Sequence, residues 1–473
     1  MNEKFDTAVQ ELKYKVLKEV AISAFNDSLL EDYSEIPYKI VTGNVPTFRD
    51  SIDKERMIVL SRIKIALGGN KNIDNVVEVI RQACDECPLG GFEVTSRCRG
   101  CIAHRCQKVC PKDAIRFDAQ TRAAIIDKDK CINCGLCAKA CPYFAIQNYQ
   151  RPCEMACKVK AISKGEDNAA IIDDNKCVHC GACVYQCPFG AIMDKSQIVD
   201  VINEIKNKKG KLYAVVAPSI KVQFKNGTVG QIITAIKRVG FDRVYEAALG
   251  ADMVAYKEAK ELEEKGVLTS SCCPTFVTLI EKRYPLLKEK ISTNLSPMAT
   301  IAKCLKEKEP NSKVVFIGPC VAKKAEIKRE EYKGIVDYVL TFEELNALID
   351  ARGIDATTLK ETNLTDASYF GRIFGRAGGL KDAVVEALKE HNSSFELKPL
   401  SVDGIENCNT ALTKLRVGVN DFNFLEGMAC SGGCIGGPCC LTHEVRDKVD
   451  MDRYGKEALK QSIKEAIDID ETL

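Results

Sequence analysis

Glu426-Gly427-Met428-Ala429-Cys430-Ser431-Gly432-Gly433-Cys434 sets two cysteines in a glycine-rich turn, and two distant segments carry companion signatures. These are Thr269-Ser270-Ser271-Cys272-Cys273-Pro274 and Gly318-Pro319-Cys320-Val321-Ala322-Lys323-Lys324-Ala325-Glu326. Each cysteine falls at a strand-to-helix turn or in a glycine loop. Gly432, Gly433, Gly436 and Gly437 suit a backbone that must approach an inorganic group closely, because no Cβ stands in the way. Together the segments offer four thiolates for one iron–sulfur cluster and leave a spare thiol beside it.

Around these signatures the chain alternates between two periods. Lys211–Ile220, Lys313–Gly318 and Ile335–Thr341 read as buried strands, and Asp252–Lys265, Pro274–Lys282 and Asp382–Lys389 as helices. Strands alternating with helices predict parallel α/β units, here over residues 196–473. Residues 1–83 contain no cysteine and read as helical: Phe5, Val9, Leu12, Val16, Leu17 and Val20 fall near helical spacing, and Ile58 through Leu67 continue it. A helical cap or interaction surface is expected there.

Composition narrows the chemistry. With 473 residues the chain has room for about three domains. Its 68 basic and 66 acidic residues leave a net charge of +2, which gives no reason to expect nucleic acid or a membrane surface as partner. Four histidines make a histidine-rich metal site a poor expectation. The 25 cysteines could form a disulfide framework, but such frameworks belong to short secreted domains. Met1-Asn2-Glu3-Lys4-Phe5-Asp6 opens no apolar signal region, and no run approaches the roughly 18 apolar residues of a membrane helix. Metal chemistry in a reducing, cytoplasmic setting is the expectation.

Residues 84–195 hold sixteen of those cysteines and an internal repeat. Cys131-x2-Cys134-x2-Cys137-x3-Cys141-Pro142 recurs as Cys177-x2-Cys180-x2-Cys183-x3-Cys187-Pro188, each preceded by an Ala-Ala-Ile-Ile-Asp run. The spacing is that of bacterial ferredoxins, so a ferredoxin-like α+β block is expected; a zinc ribbon would want paired cysteines instead. Cys98-x2-Cys101-x4-Cys106-x3-Cys110-Pro111 is the same motif with a longer middle gap. Crossing the runs gives Cys98, Cys101, Cys106 and Cys141 for one 4Fe–4S cluster, and Cys131, Cys134, Cys137 and Cys110 for a second. Cys157 completes Cys177, Cys180 and Cys183. A fourth set, Cys84, Cys87, Cys153 and Cys187, uses every cysteine of the block; three clusters with free thiols is the alternative. His104 and His179, inside cluster loops, are expected at the surface or hydrogen-bonded.

Residues 84–445 resemble the FeFe (iron-only) hydrogenases through the three signatures quoted above. The resemblance implies an α/β catalytic domain with two lobes of parallel sheet and flanking helices around the active-site cluster, preceded by the ferredoxin-like domains and the N-terminal helical segment. It further implies an H-cluster, a 4Fe–4S cubane linked to a di-iron subsite with carbonyl, cyanide and dithiolate ligands. Cys273, Cys320, Cys430 and Cys434 would hold the cubane, with Cys434 bridging to the di-iron unit. Cys272 would relay protons through Glu258, Ser292 and Glu261, with Glu326 a further family acid. Lys323 and the Ala217-Pro218-Ser219 loop would contact the two cyanides, and Met298 and Met428 would line the cofactor pocket. From the residues alone, Glu258 and Glu261 read as a solvated helix face and Lys323-Lys324 as an exposed helix start, while Cys272, beside a ligand and not needed as one, reads as a thiol able to relay a proton, with a small buried residue as the alternative.

The implied activity is reversible interconversion of dihydrogen with protons and electrons, relayed to a ferredoxin-like carrier, in a protein that needs maturation proteins. A hydrogen sensor, or a non-catalytic iron–sulfur relative serving assembly or electron transfer, are the alternatives. Several positions depart from the family. Thr275-Phe276 replaces Gly-Trp, Gly318 replaces Met, Met298 replaces Gln, and Ser431 replaces a common Pro or His. Cys434-Ile435-Gly436-Gly437-Pro438-Cys439-Cys440 stands where the family has a Gly-Gly-Gly-Gln-Pro run. None of these removes Cys272 or a cubane ligand.

Overall fold

The computed structural model describes residues 5–467 except 89 and 226, and its C-terminal half is built on two parallel sheets. The first runs Arg243–Glu246, Leu212–Val216, Lys313–Gly318, Tyr338–Thr341 in spatial order, every pair parallel. Leu212–Val216 is buried at all five positions, as an unbroken apolar run requires when helices cover both faces. The second sheet runs Leu268–Thr269, Phe424–Met428, Pro399–Asp403, again parallel. Four of these strands end where a signature begins: Val216 before Ala217-Pro218-Ser219, Gly318 before Pro319-Cys320, Thr269 before Cys272-Cys273, and Met428 before Cys430. Both lobes therefore aim the carboxyl ends of their strands at one place, where α/β sheets present ligand loops.

Local differences from the expected elements have local causes. The strand expected over Lys211–Ile220 stops at Val216, because Pro218 has no N–H for a ladder and opens a 3-10 turn over Pro218–Val222. The helix expected from Asp252 starts at Ala247 and runs to Lys265, closed by Gly266 in the left-handed region. Pro274 is the first residue of its helix, Pro274–Arg283, as proline at that position favours.

The N-terminal stretch departs most. Ala8–Phe25 and Ile52–Ala66 are helices, capped by the Thr7 and Ser51 hydroxyls, which accept from the Gln10 and Lys54 N–H groups at 3.2 Å. Val77–Val79, however, is a strand, paired antiparallel with Ile192–Asp194. The stretch also packs into the body of the molecule. Val16, Leu17 and Val20 are fully buried in the same apolar core as the Leu212–Val216 strand. Lys13 makes buried ion pairs with Asp194 and Glu343, and Lys324 joins Asp194 at 2.8 Å and Glu344 at 2.9 Å. This network ties the first helix to the ferredoxin-like block and to the Phe342–Ala351 helix that follows the first parallel sheet. Among the described residues, no helix is long and apolar enough to cross a membrane.

Candidate metal centre

All 25 cysteines are free thiols, and the ferredoxin-like block arranges its share by one repeated device. After Cys110, Cys141, Cys157 and Cys187 the chain turns left-handed at the third residue: Asp113 (φ 47°), Phe144 (φ 51°), Lys160 (φ 53°) and Gly190 (φ 57°). The next N–H then points back to the sulfur. Ala114 donates to Cys110 Sγ at 3.3 Å, Ala145 to Cys141 at 3.5 Å, Ala161 to Cys157 at 3.1 Å and Ala191 to Cys187 at 3.2 Å. A left-handed L residue costs about 1–2 kcal/mol, so its recurrence needs a cause. An N–H aimed at sulfur serves a thiolate held on iron. His179 is left-handed too, with Nδ1 3.9 Å from Cys177 Sγ, while His104 stacks on Phe117 at 3.7 Å.

Several of these thiols lie near one another. Cys106 feels the charges of Cys141 and Cys101, and a cavity of about 20 Å³ is lined by Cys110, Cys131, Cys134 and Cys137. Cys157 acts on Cys177, Cys180 and Cys183. Cys84, Cys87, Cys153 and Cys187 also share one neighbourhood.

Where the two lobes converge lies a cavity of about 90 Å³ lined by Cys272, Cys273, Cys320, Cys430, Cys434 and Lys323. Burial, then mutual charge, pushes the Cys320 thiol up to about 12 and Cys434 to about 11, with Cys430 well above its ordinary value. Four thiols crowded this way cannot ionise together in a dry site unless a metal core takes up the charge. The donor set therefore fits a cubane cluster. The rest of the wall fits a compact, largely uncharged group. Ala217, Pro218, Phe316, Met298, Met428 and Phe374 are apolar, and Lys323 is the one charged residue among the described lining residues. Ser219 is fully buried beside it with no hydrogen-bond partner for its Oγ. Cys180 of the third thiol set also lines this cavity and interacts with Cys430, which joins the block to the centre.

Two of the departures from the family are taken up by aromatic rings. A Cβ on Gly318 would stand 2.7 Å from the Phe316 ring, so that ring fills the room of the missing methionine. A Cβ on Gly427 would stand 2.3 Å from the Phe276 ring, which lies flush on the backbone of the Phe424–Met428 strand.

The polar residues expected at the site are buried, contrary to their reading as exposed faces. Lys323 Nζ donates to Glu326 Oε2 at 2.7 Å and to the Cys272 carbonyl at 3.4 Å; Lys324 turns away into the ion network of the N-terminal helix. Glu258 is fully buried. Its Oε1 accepts from the Ser271 N–H and hydroxyl, both at 3.2 Å, and its Oε2 has no partner. Burial pushes this carboxyl up to about 7, against the pull of Ser271 and Ser292. Glu261, one turn on, accepts from the Ser292 hydroxyl at 2.9 Å, the Thr293 N–H at 2.9 Å and Asn294 Nδ2 at 2.8 Å, and pairs with Lys265 at 2.7 Å. Burial raises it, but these donors outweigh burial and hold it below its ordinary value. Cys272 is 8% exposed, its thiol pushed well above the ordinary value by burial and then by the charge of Glu258. The sequence reading missed Phe316, Phe374, Cys180's approach to Cys430 and the Lys13 network. Only Phe316 had a signal, since it shares a strand face with Gly318 two residues on.

Comparison with known proteins agrees with this geometry. The family described as iron only hydrogenase large subunit, C-terminal domain, matches residues 210–438, a 4Fe-4S dicluster domain matches 97–145, and a 4Fe-4S binding domain matches 170–193. Iron hydrogenase 1 of Clostridium pasteurianum is 28% identical over 404 residues, 72% of this chain and 69% of that protein. The periplasmic Fe hydrogenase large subunit of Nitratidesulfovibrio vulgaris is 30% identical over 370 residues, 66% of this chain and 85% of that protein. Shorter matches reach cytosolic Fe-S cluster assembly factors, such as one from Culex quinquefasciatus at 24% over 44% of this chain and 56% of that protein. Among solved structures, the FeFe-hydrogenase HydA(deltaEFG) shares the fold with a TM-score of 0.50 at 20% identity, over 58% of this chain and 93% of that one.

Proposed function

Because the chain belongs to the iron-only hydrogenase family, we propose that it interconverts dihydrogen with protons and electrons, passing the electrons through its iron–sulfur block to a ferredoxin-type carrier. The observation that carries this reading is the buried Cys272 thiol at the cavity wall, followed outward by Glu258, Ser292 and Glu261. Cys273, Cys320, Cys430 and Cys434 would hold the H-cluster, whose di-iron unit supplies the open Lewis-acid metal and adjacent base that heterolysis needs.

The chain's own residues do the rest. Lys323, anchored on Glu326, holds a fixed positive charge over the cavity, where cyanide would accept from its Nζ. Ser219 Oγ and the Ala217-Pro218 backbone, beyond the neighbouring strand of the same sheet, face the same task. Phe316, Phe374, Met298 and Met428 keep water out. Protons leave Cys272 for Glu258, whose free Oε2 and carboxyl at about 7 suit it to take and give a proton near neutrality. The Ser292 hydroxyl hands on to Glu261, which the Lys265 ammonium keeps ionised at the outer end. Cys180 beside Cys430 is the electron exit into the block.

Maturation proteins would install the di-iron unit, and infrared spectroscopy of anaerobically matured protein under dihydrogen and then carbon monoxide tests the reading. Sharp iron-bound cyanide and carbonyl bands that respond to both gases, with turnover, are expected. Their absence from competently matured protein with intact iron–sulfur clusters would overturn it and leave an electron-transfer or assembly role.

A further inference from the structure

We propose that Cys84, Cys87, Cys153 and Cys187 hold an additional iron–sulfur cluster, closed by the N-terminal helical segment and made the most readily reduced of the accessory clusters by the buried arginines around it. Cys84, Cys87 and Cys153 lie outside every segment matched to a known family. The chain nevertheless gathers these four thiols from three distant places. Each of the six pairs among them interacts electrostatically. Cys84, Cys153 and Cys187 are buried, and Cys87 is half-buried. Cys187 Sγ accepts from the Ala191 N–H at 3.2 Å, as the other cluster cysteines do from theirs, and the Ala170 N–H faces the Cys84 thiol.

The arginines supply the second, independent observation. Arg151 is 1% exposed; its Nε donates to the Pro88 carbonyl at 3.2 Å, while Nη1 and Nη2 have no partner. It interacts with Cys84 and Cys87. Arg62, also 1% exposed, donates from Nη2 to the Gly190 carbonyl at 2.6 Å and acts on Cys187. Neither has a carboxylate partner among the described residues. Arg49 lies over the Phe189 ring, 4.8 Å from its centre, and acts on Cys87. The acids that face this site are Glu86, Glu154 and Asp167; Glu86 pairs with Arg49 at 3.4 Å, and Asp167 pairs with Arg81 at the surface. Buried guanidinium groups without a counter-charge are costly, so the site calls for a resident anion. A cubane on four thiolates carries net negative charge in both oxidation states, more when reduced. Nearby cations thus favour the reduced form and raise the potential. Reduction adds one electron to the core from a low-potential donor such as dithionite or the neighbouring cluster, with no bond made or broken.

Sequence and placement agree. Of the four residues that follow a cluster cysteine in the left-handed turn, only the one after Cys187 is glycine, and a Cβ on Gly190 would meet Arg62 Nη2 at 2.2 Å. Cys87 precedes and Cys153 follows the paired strands Gly91–Val94 and Ile146–Tyr149, which lead to the outer thiols. Cys153 also acts on Cys183 of the inner set. The site therefore stands where the outer pair of clusters meets the inner one.

The test is chemical reconstitution of the full chain with iron and sulfide alone, followed by metal analysis and a potential-controlled EPR titration. It needs no di-iron unit, so its outcome is separate from that of hydrogen turnover. The expected result is loss of about four irons per chain in a Cys84→Ser/Cys87→Ser variant, with the signals of the other clusters retained. Unchanged iron in that variant would overturn the proposal. Should that variant fail to fold, Arg151→Met decides: iron unchanged, with the highest midpoint alone moving negative, is expected. A midpoint that stays or moves positive overturns it.

Discussion

The outer cluster loops and the cavity between the two lobes solve the same problem, gathering thiols that could hold iron, by opposite means. In the outer block each set is mostly written in one short run, and Cys134 is exposed to solvent. The N–H donors, left-handed corners and cysteines recur at fixed offsets, so local backbone geometry makes the site. In the cavity the thiols come from three segments at the strand ends of two different sheets, and the surrounding core makes the site. A local site tolerates its neighbours' variation; a site assembled by packing inherits every defect of the core.

The largest effect that sharpens this contrast is chemical. Cys272→Ala should lower turnover by about 10⁴-fold, roughly 5 kcal/mol of barrier, while iron content and melting stay near those of the unaltered chain. A proportionate loss of iron would instead make Cys272 a structural residue. Next comes the core. Lys13→Met leaves Asp194 and Glu343 buried without that cation. Removing one partner of such a network costs about 3–5 kcal/mol, read by chemical denaturation of the cluster-loaded protein. A change below 1 kcal/mol would mean that the N-terminal helix is held by apolar contacts alone.

Glu258→Gln keeps shape and removes a proton site, for about a 10²-fold loss of turnover. The pH dependence carries a definite sign. The native carboxyl stays protonated up to about 7, whereas the unfolded one releases its proton near the ordinary 4.5. Between those values the native state binds more protons, so this group makes stability fall as pH rises. Denaturation midpoints of the glutamine variant should lose that slope across the window, and an unaltered slope would place the titration elsewhere.

How much of this was legible follows the same division. The ferredoxin-type cysteine runs could be read directly, because each is written within about a dozen residues. The cubane thiols could be read only through resemblance, since nothing local links Cys273, Cys320 and Cys430. The reading of Glu258 and Glu261 as a solvated face failed because the strip they occupy is covered by Ser271 and Ser292–Asn294, segments that no helical period reveals. Val77–Val79 took strand form because Ile192–Asp194 offers it an edge.

Gly427→Ala probes the packed site at a smaller scale. The added methyl meets the Phe276 ring, and overpacking of that kind costs about 1–3 kcal/mol. A shift of the Phe424–Met428 strand would be felt at Cys430 just beyond it, so a fall in cubane occupancy should accompany the lost stability.

The smallest effect is expected at Phe144, and it discriminates best. Its side chain is 71% exposed and its φ is 51°, so glycine there surrenders little packing and relieves left-handed strain. Glycine also loosens the unfolded chain, which offsets part of the gain. Phe144→Gly should therefore leave stability within about 1 kcal/mol, on the favourable side, with both outer clusters intact. Gly190, the same position of the inner copy, should behave in reverse, because a methyl there strikes Arg62 and Val9. Equal tolerance at both positions would mean that packing around the inner loop constrains it no more than solvent constrains the outer one, and the distinction between local and assembled sites would fail where it is easiest to measure.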